Sequence, residues 1–160
     1  MLKINRLLPI NSKSCFSIIN DNNLKNNYFI NLGWTQNQFD RQLSNVNNLG
    51  YGLFEKDTLQ GFVIGQLIRV EKILEYEILL IYIKENKRKL GYASKLLNEI
   101  PTLLQKKNLK KIYLEVASNN FRAINLYKKN NYKKKGIRKK YYSIANKKID
   151  AFFFEKNLNE

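Results

Sequence analysis

The chain of 160 residues is long enough for one domain with a substantial core, and its 44% hydrophobic and 12% aromatic content excludes a disordered protein. Its net charge of +16, from 29 Lys and Arg against 13 Asp and Glu, suggests RNA or ribosome binding as one hypothesis. Because most of the basic residues are Lys, interspersed with Asn, Ile and Tyr, a solvated Lys-rich surface explains the same charge, and both interpretations stay open.

The sequence also predicts where the protein resides. The lone Cys15 cannot form an internal disulfide, which suits a reducing compartment. No apolar run approaches the ~20 residues of a membrane span, and the first residues lack the apolar segment and cleavage site of a signal peptide. We therefore expect a cytoplasmic protein with a single domain over residues 1–160, no contact with a membrane and no metal site.

The N-terminal half is predicted to combine strands with two short helices. Hydrophobic patterning indicates a strand at residues 2–7 and a helix at 14–19, and the spacing of Trp34, Phe39 and Leu43 indicates a second helix. An Asn-rich segment, residues 20–27, lies between the helices. Three strands follow at 50–54, 61–70 and 75–83, the first two joined by a polar turn at 55–60.

The C-terminal half alternates helices and strands. A helix is predicted after Gly91, with Pro101 interrupting its apolar stripe and lysines before Lys110 ending it. A strand at 111–116, a helix at 120–129 and strands at 133–142 and 149–157 complete the chain. The order of elements predicts a mixed α/β fold.

The loop that opens the helix after Gly91 is a candidate anion site. It reads Arg88-Lys89-Leu90-Gly91-Tyr92-Ala93, and Ser94 follows. The small residues allow the backbone to approach a ligand, and the free N–H groups and dipole of the helix favour an anion such as pyrophosphate. Alone the pattern is weak, because a plain strand–helix turn that needs Gly91 only for its dihedral angles would look the same.

A second motif lies downstream and gives the loop a context. The segment N-x-x-A-I-x-L-Y contains Asn120, Ala123, Ile124, Leu126 and Tyr127. Together with [Q/R]-x-x-G-x-[G/A] after a strand, it resembles the acetyl-CoA-binding core of the GNAT N-acetyltransferase superfamily. The resemblance implies a twisted mixed sheet flanked by helices, with acetyl-CoA as co-substrate between two central parallel strands that splay apart.

A narrower resemblance extends towards the C-terminus. The bacterial ribosomal-protein-alanine N-acetyltransferase (RimI) family has an E-V-x-x-S-N core, then G-x-R-x-x-Y-Y and D-A. The matching positions here are Glu115-Val116, Asn120, Gly136, Arg138, Tyr141-Tyr142 and Asp150-Ala151, and Trp34-Thr35 is similar to the family's P-W-S segment. The chain departs from the pattern at four positions, which are Gly33 for Pro, Asn119 for Ser, Asn131 for Gly and Ser143 for Pro.

The resemblance also implies roles for individual residues. Glu115 is the candidate general base and Tyr127 the candidate acid for the departing thiolate, while Asn120 is a good helix N-cap that can also bond to CoA. The implied cofactor-binding groups are the backbone of Ile81, Tyr82 and Ile83, the loop residues Arg88, Lys89, Leu90, Gly91, Tyr92, Ala93 and Ser94, and Asn120. The implied walls of the acceptor groove are Trp34, Tyr141 and Tyr142.

Three functions are compatible with these observations. The first is acetylation of a protein N-terminus, for which the resemblance implies the N-terminal Ala of a small-subunit ribosomal protein. The second is acetylation of a Lys side chain or a small amine by the same fold, and the third is a non-enzymatic RNA- or ribosome-binding module. Because a ribosomal protein is itself basic, the first function predicts local acidity near Glu115 and Asp150 despite the net charge.

Overall fold

The computed structural model describes residues 1–20, 29, 32–104 and 108–158. The strands are β1 (Leu2–Arg6), β2 (Tyr51–Glu55), β3 (Thr58–Val70), β4 (Ile73–Ile83), β5 (Leu109–Ala117), β6 (Lys133–Ile144) and β7 (Lys147–Asn157). The α-helices are α1 (Ser12–Asn20), α2 (Gln36–Ser44), α3 (Tyr92–Leu104) and α4 (Phe121–Lys129), and short 3₁₀ turns occupy Pro9–Asn11 and Glu85–Lys87.

The strands form one seven-stranded mixed sheet in the order β1-β2-β3-β4-β5-β7-β6. Neighbouring strands are antiparallel except β4 and β5, which pair in parallel across the centre. The helices cover both faces because strand side chains alternate between them. Leu80 and Tyr82 of β4 pack in a cluster with α1 and α2, whereas Ile78 and Ile83 join the cluster that contains α3 and α4. The predicted mixed α/β class is confirmed.

Some boundaries differ from those predicted. The polar turn expected at 55–60 consists of Lys56 and Asp57, whose φ angles of 48° and 63° are typical of a two-residue hairpin loop. Pro101 does not interrupt α3, which continues to Leu104 with Ile100 and Leu104 buried in the core. That packing offsets the one backbone hydrogen bond that a proline removes. The lysines expected to end this helix, at 106–107, and most of the Asn-rich segment lie outside the described residues.

Much of the basic charge lies on β6, an edge strand of the sheet. Its lysines are exposed at positions 133–135 and 139–140. Lysines on an edge strand oppose pairing with the edge of another molecule, so this position alone accounts for their presence. In the described part of the chain, none of the helices has the length and apolar character needed to span a membrane.

The central parallel pair separates part-way along its length. Within the described residues, the β4–β5 ladder ends at the pair Ile78–Leu114. The β3–β4 register shifts at the same point, since Gly65 faces Ile78 and Ile64 faces Leu80, which leaves Leu79 as an extra residue. A bulge of this kind bends its strand and increases the twist, so β4 diverges from β5 beyond Leu79.

Candidate active site

The divergence of β4 from β5 opens a cavity of about 810 Å³. The bulged end of β4 forms one wall and the end of β5, with Glu115, forms the other. Leu90, in contrast, is 59% exposed and does not line the cavity. The predicted cofactor-binding residues that line it are Ile81, Tyr82, Ile83, Arg88, Lys89, Gly91, Tyr92, Ala93, Ser94 and Asn120.

The loop before α3 has the backbone geometry of an anion site. Gly91 has a φ of +81°, and a Cβ added there would meet no heavy atom within 4 Å, so the space beside it is open. The first backbone bond of the helix runs from the Lys95 N–H to the Gly91 carbonyl at 2.9 Å. The N–H groups of the first helical turn therefore have no acceptor within the helix, and residues 91–94 line the cavity.

Arg88 fixes this loop against the end of β4. Its Nε donates a hydrogen bond to the Ile83 carbonyl at 3.0 Å, and its guanidinium lies 5.3 Å from the centre of the Tyr82 ring. The neighbouring Lys87 forms an ion pair with Glu55 of β2. The loop is thus held to the sheet at two points, and its positive charge is placed at the cavity.

Helix α4 adds polar and basic groups that sequence reasoning missed. Arg122, Asn125 and Lys129 all line the cavity, on the helix that carries the N-x-x-A-I-x-L-Y motif. Their separations of three and four residues place them on one helical face. Their spacing could have identified them as one polar face, because it can be read from the sequence once the helix is assigned.

The turn between β5 and α4 positions Asn120 and Tyr127. Asn120 caps the helix as predicted, since its Oδ1 accepts a hydrogen bond from the Ala123 N–H at 3.2 Å. Tyr127 follows about two turns later and lines the same cavity, with 6% of its surface exposed. Its ring packs against Tyr132 and Phe154, with centroids 5.9 and 6.2 Å apart, so the aromatic core fixes its position.

Glu115 follows Leu114, the last residue of β5 that pairs with β4, and lies at the edge of the gap. Its Oε1 is 3.0 Å from the Nε of Arg138 on β6, in an ion pair where the Glu115 side chain is 17% exposed and Arg138 is 61% exposed. The Arg138 guanidinium also stacks over the Tyr141 ring at 5.1 Å. The sequence motif contains Arg138, but nothing local in the sequence pairs it with Glu115.

The sheet beside Glu115 is locally acidic. Burial, followed by the negative charges of Glu77, Glu75 and Glu115, raises the pKa of Tyr113 to about 12. Carboxylates are thus present near Glu115, but Lys111 pairs with Glu75 and Arg138 pairs with Glu115. Near Asp150 the expected acidity does not occur, because two lysines surround that carboxylate. The Lys140 N–H and the Lys139 ammonium both donate to it, at 2.8 and 3.3 Å.

The three predicted acceptor residues have different positions. Trp34 lines the cavity but is 8% exposed and packs on Phe39, with ring centroids 5.1 Å apart. Tyr142 also lines the cavity, whereas Tyr141 does not and is 49% exposed.

A bulge in β6 accounts for the difference between the two tyrosines. Arg138 faces Ala151 and Tyr142 faces Ile149, so residues 139–141 all lie opposite Asp150. The hydrogen bond from the Lys140 N–H holds the pKa of Asp150 below its usual value, and the Lys139 ammonium adds to this effect. The carboxylate of Asp150 thus stabilises the bulge that separates Tyr141 from the cavity.

The described residues contain no group of three or more Cys, Asp or Glu that could hold a metal ion.

Comparison with known proteins identifies relatives. The model of the Acetyltransferase (GNAT) family matches residues 15–132. The chain is 30% identical over 128 residues to the N-alpha-acetyltransferase RimI of Mycobacterium tuberculosis, a match that covers 79% of this chain and 77% of that protein. It is 34% identical over 123 residues to an uncharacterized protein of Mycobacterium leprae, which covers 77% of this chain but 33% of the length of that relative.

Solved structures share the fold at lower identity. Arabidopsis thaliana NAA60 in complex with a bisubstrate analogue matches with a TM-score of 0.81 and 19% identity, over 98% of both chains. The ribosomal-protein-S18-alanine N-acetyltransferase of Escherichia coli matches with a TM-score of 0.81 and 22% identity, over 99% of this chain and 94% of that one. The family match covers the region from α1 to Tyr132, including the cavity walls of β4, β5, α3 and α4. The protein therefore belongs to the acetyltransferase (GNAT) family, which confirms the enzyme class that its sequence predicts, an acetyl-CoA-dependent N-acetyltransferase.

Proposed function

We propose that this protein transfers the acetyl group of acetyl-CoA to the N-terminal α-amine of a protein in the cytoplasm. We further propose the N-terminal Ala of a small-subunit ribosomal protein as its acceptor. The observation that carries the proposal is that one cavity is lined by the candidate anion-binding loop before α3, by Glu115 and by the aromatic residues Trp34 and Tyr142. RimI of M. tuberculosis and the S18-alanine N-acetyltransferase of E. coli, to which the chain is similar, support this class of acceptor.

The cofactor half of the cavity suits the shape of CoA. The edge of β4 beyond Leu79 is directed away from β5, so its backbone groups are available to pair with the pantetheine amides as an added strand would. The pyrophosphate would accept hydrogen bonds from the N–H groups at the start of α3. Arg122 and Lys129 add positive charge for the phosphates of the nucleotide.

The reaction needs two proton transfers, and each has a candidate group. As the amine nitrogen forms its bond to the acetyl carbon, Glu115 takes the proton that the nitrogen loses. As the carbon–sulfur bond breaks, Tyr127 gives a proton to the thiolate. Backbone N–H groups of residues 81–83 are candidates to stabilise the negative charge on the carbonyl oxygen.

An α-amine is a suitable nucleophile for this site. Its pKa of ~7.7–8.0 leaves a fair share of the amine uncharged near neutral pH, whereas a Lys side chain with a pKa of ~10.4 is almost entirely protonated. A carboxylate such as Glu115, whose side chain is 17% exposed, is a sufficient base for the α-amine. It is a poor base for the ammonium group of a Lys side chain.

A peptide panel tests the proposal. The purified protein is incubated with acetyl-CoA and an Ala-starting peptide, the same peptide with its N-terminus blocked and an internal Lys, and a polyamine. We expect saturable acetylation of the first peptide, with kcat/KM at least about 100-fold above that of the other two, as the ~2.4-unit difference in amine pKa implies. Turnover of the blocked Lys peptide or the polyamine at a higher kcat/KM would assign the protein to a different acceptor.

A further inference from the structure

The ion pair between Glu115 and Arg138 has a consequence for the acceptor amine. Arg138 belongs to β6, and its side chain crosses β7 to reach the carboxylate on β5, 3.0 Å from Nε to Oε1. Glu115 lines the cavity at the end of β5, where the acceptor would approach, and Arg138 holds it from outside the cavity lining. The candidate base therefore shares its negative charge with a guanidinium before any amine arrives.

A carboxylate without such a partner would hinder the attack. An opposite charge within ~4–6 Å favours the charged form of a titratable group and shifts its pKa by ~1–3 units. A lone Glu115 would thus hold an α-amine, with its ordinary pKa of ~7.7–8.0, as the ammonium ion. The ammonium ion has no lone pair with which to attack a thioester.

We propose that Arg138 is a positioning residue that balances the charge of Glu115, so that the acceptor amine occupies the cavity as the free base. This inference rests on the proposed function, because it concerns the amine that the function requires. Arg138 acts through Glu115 and does not contact the reacting atoms. Its stacking on Tyr141, at 5.1 Å, holds the guanidinium in place although its side chain is 61% exposed.

The other ionisable groups near Glu115 do not supply this balance. Glu75 pairs with Lys111 at 3.3 Å, and Glu155 pairs with Lys111 and Lys135 at 3.6 and 3.8 Å. Glu77 bonds to the neutral amide of Gln66 at 2.9 Å, and Tyr113 is uncharged because its pKa is about 12. Near the cavity end of β5 also lie Asp150 on β7, which is paired with Lys139, and the phenols of Tyr142 on β6 and Tyr127 on α4. The cavity is also lined by Lys87, Arg88 and Lys89 before α3 and by Arg122 and Lys129 on α4, but among the described residues the ion pair of Glu115 is with Arg138.

The test is the pH dependence of two constants in Arg138→Gln. Removal of the guanidinium should raise the pKa of the bound amine by about one unit, the lower end of the expected range, because water screens this half-exposed site. We expect kcat at pH 7 to fall about 10-fold and to approach the wild-type value at about pH 9. The Kd of the Ala-starting peptide, measured at pH 7 with CoA present, should fall by up to about 10-fold, because the carboxylate then binds the ammonium ion.

Two further variants separate charge from structure. Arg138→Lys keeps the positive charge and should keep most of the wild-type pH profile. Lys135→Gln removes one positive charge from the same strand, at a residue that pairs with Glu155 instead of Glu115, and should leave the profile unchanged. A peptide whose first residue bears fluorine has a less basic amine, and with it the difference between wild type and Arg138→Gln should disappear.

The outcomes are distinct. If Arg138 only supported the local structure, Arg138→Gln would lower kcat by the same factor at every pH and would weaken peptide binding, and this result would overturn the inference. An unchanged profile in a folded Arg138→Gln protein would overturn it as well. Failure of the proposed function gives a different result, since wild-type protein would then bind CoA but would not acetylate the Ala-starting peptide at any pH.

Discussion

Replacement of Gly91 by Val tests whether the loop before α3 binds the phosphates of CoA. Gly91 has a φ of +81° and lines the cavity, and an added Cβ would meet no heavy atom within 4 Å. The free protein can therefore accommodate the side chain, and the two methyl groups would occupy the open space in front of the helix N-terminus. A pyrophosphate bound at residues 91–94 would compete for that space.

The structure separates two costs of this change. The left-handed backbone conformation costs a non-glycine residue ~1–2 kcal/mol, which lowers the Tm of a domain of this size by about 2–8 °C. Each hydrogen bond to a charged phosphate contributes ~1.5–3 kcal/mol. Loss of two such bonds would weaken CoA binding by ~3–6 kcal/mol, or about 10²–10⁴ in Kd.

Titration calorimetry with CoA and urea unfolding measure the two costs independently. Gly33→Val is the matched control, because Gly33 also has a positive φ, +93°, and open space around its Cβ, but does not line the cavity. Both variants should lose similar stability, and only Gly91→Val should lose CoA affinity. A folded Gly91→Val protein with the wild-type Kd for CoA would refute the assignment of this loop to the pyrophosphate.

Three other predictions concern single side chains. Glu115→Gln should lower kcat/KM for an Ala-starting peptide by ~10²–10⁴. The loss should be smaller towards about pH 9, where more of the amine is uncharged without a base to deprotonate it. Wild-type activity from about pH 6 upwards would exclude a base role. Tyr127→Phe retains the packing of the ring and should leave the Kd of CoA within about twofold while turnover falls, whereas loss of CoA affinity would make Tyr127 a binding group. The lowered pKa of Asp150 means that its charge stabilises the fold above the unfolded pKa of ~3.9 and loses this effect at lower pH. The urea midpoint of Asp150→Asn should therefore lie below that of wild type near neutral pH and converge with it as the pH falls below about 4, and a constant difference would show that the charge does not hold the bulge.

The sequence by itself determined the elements and the two motifs that flank the cavity. The strand ending at Ile83, the loop with Gly91 and the cap at Asn120 were all readable, because each depends on contacts within a few residues. The sequence left open whether Gly91 serves an anion site or only the dihedral angles of the turn, and its φ of +81° is compatible with both. The chemistry of neighbouring residues was therefore sufficient to predict the elements at these positions.

The register of the strands in the sheet could not be predicted from the sequence. Alternation along β6 gives no sign that residues 139–141 lie together opposite Asp150, so Tyr141 and Tyr142 looked equivalent as acceptor walls. The bulge makes them different, because it directs one into the cavity region and leaves the other half exposed. A bulge is stabilised by the partner strand, here through the carboxylate of Asp150.

Tertiary structure also decided the charge environment of Glu115. Its partner Arg138 is distant in sequence and reaches it across β7, which lies between β5 and β6 in the sheet. The cavity itself depends on the extra residue Leu79 in β4, which ends the ladder to β5 after Ile78 and Leu114. Pairing between strands depends on hydrogen bonds between residues far apart in the chain, so neither the gap nor the ion pair of Glu115 is encoded in any short stretch of sequence.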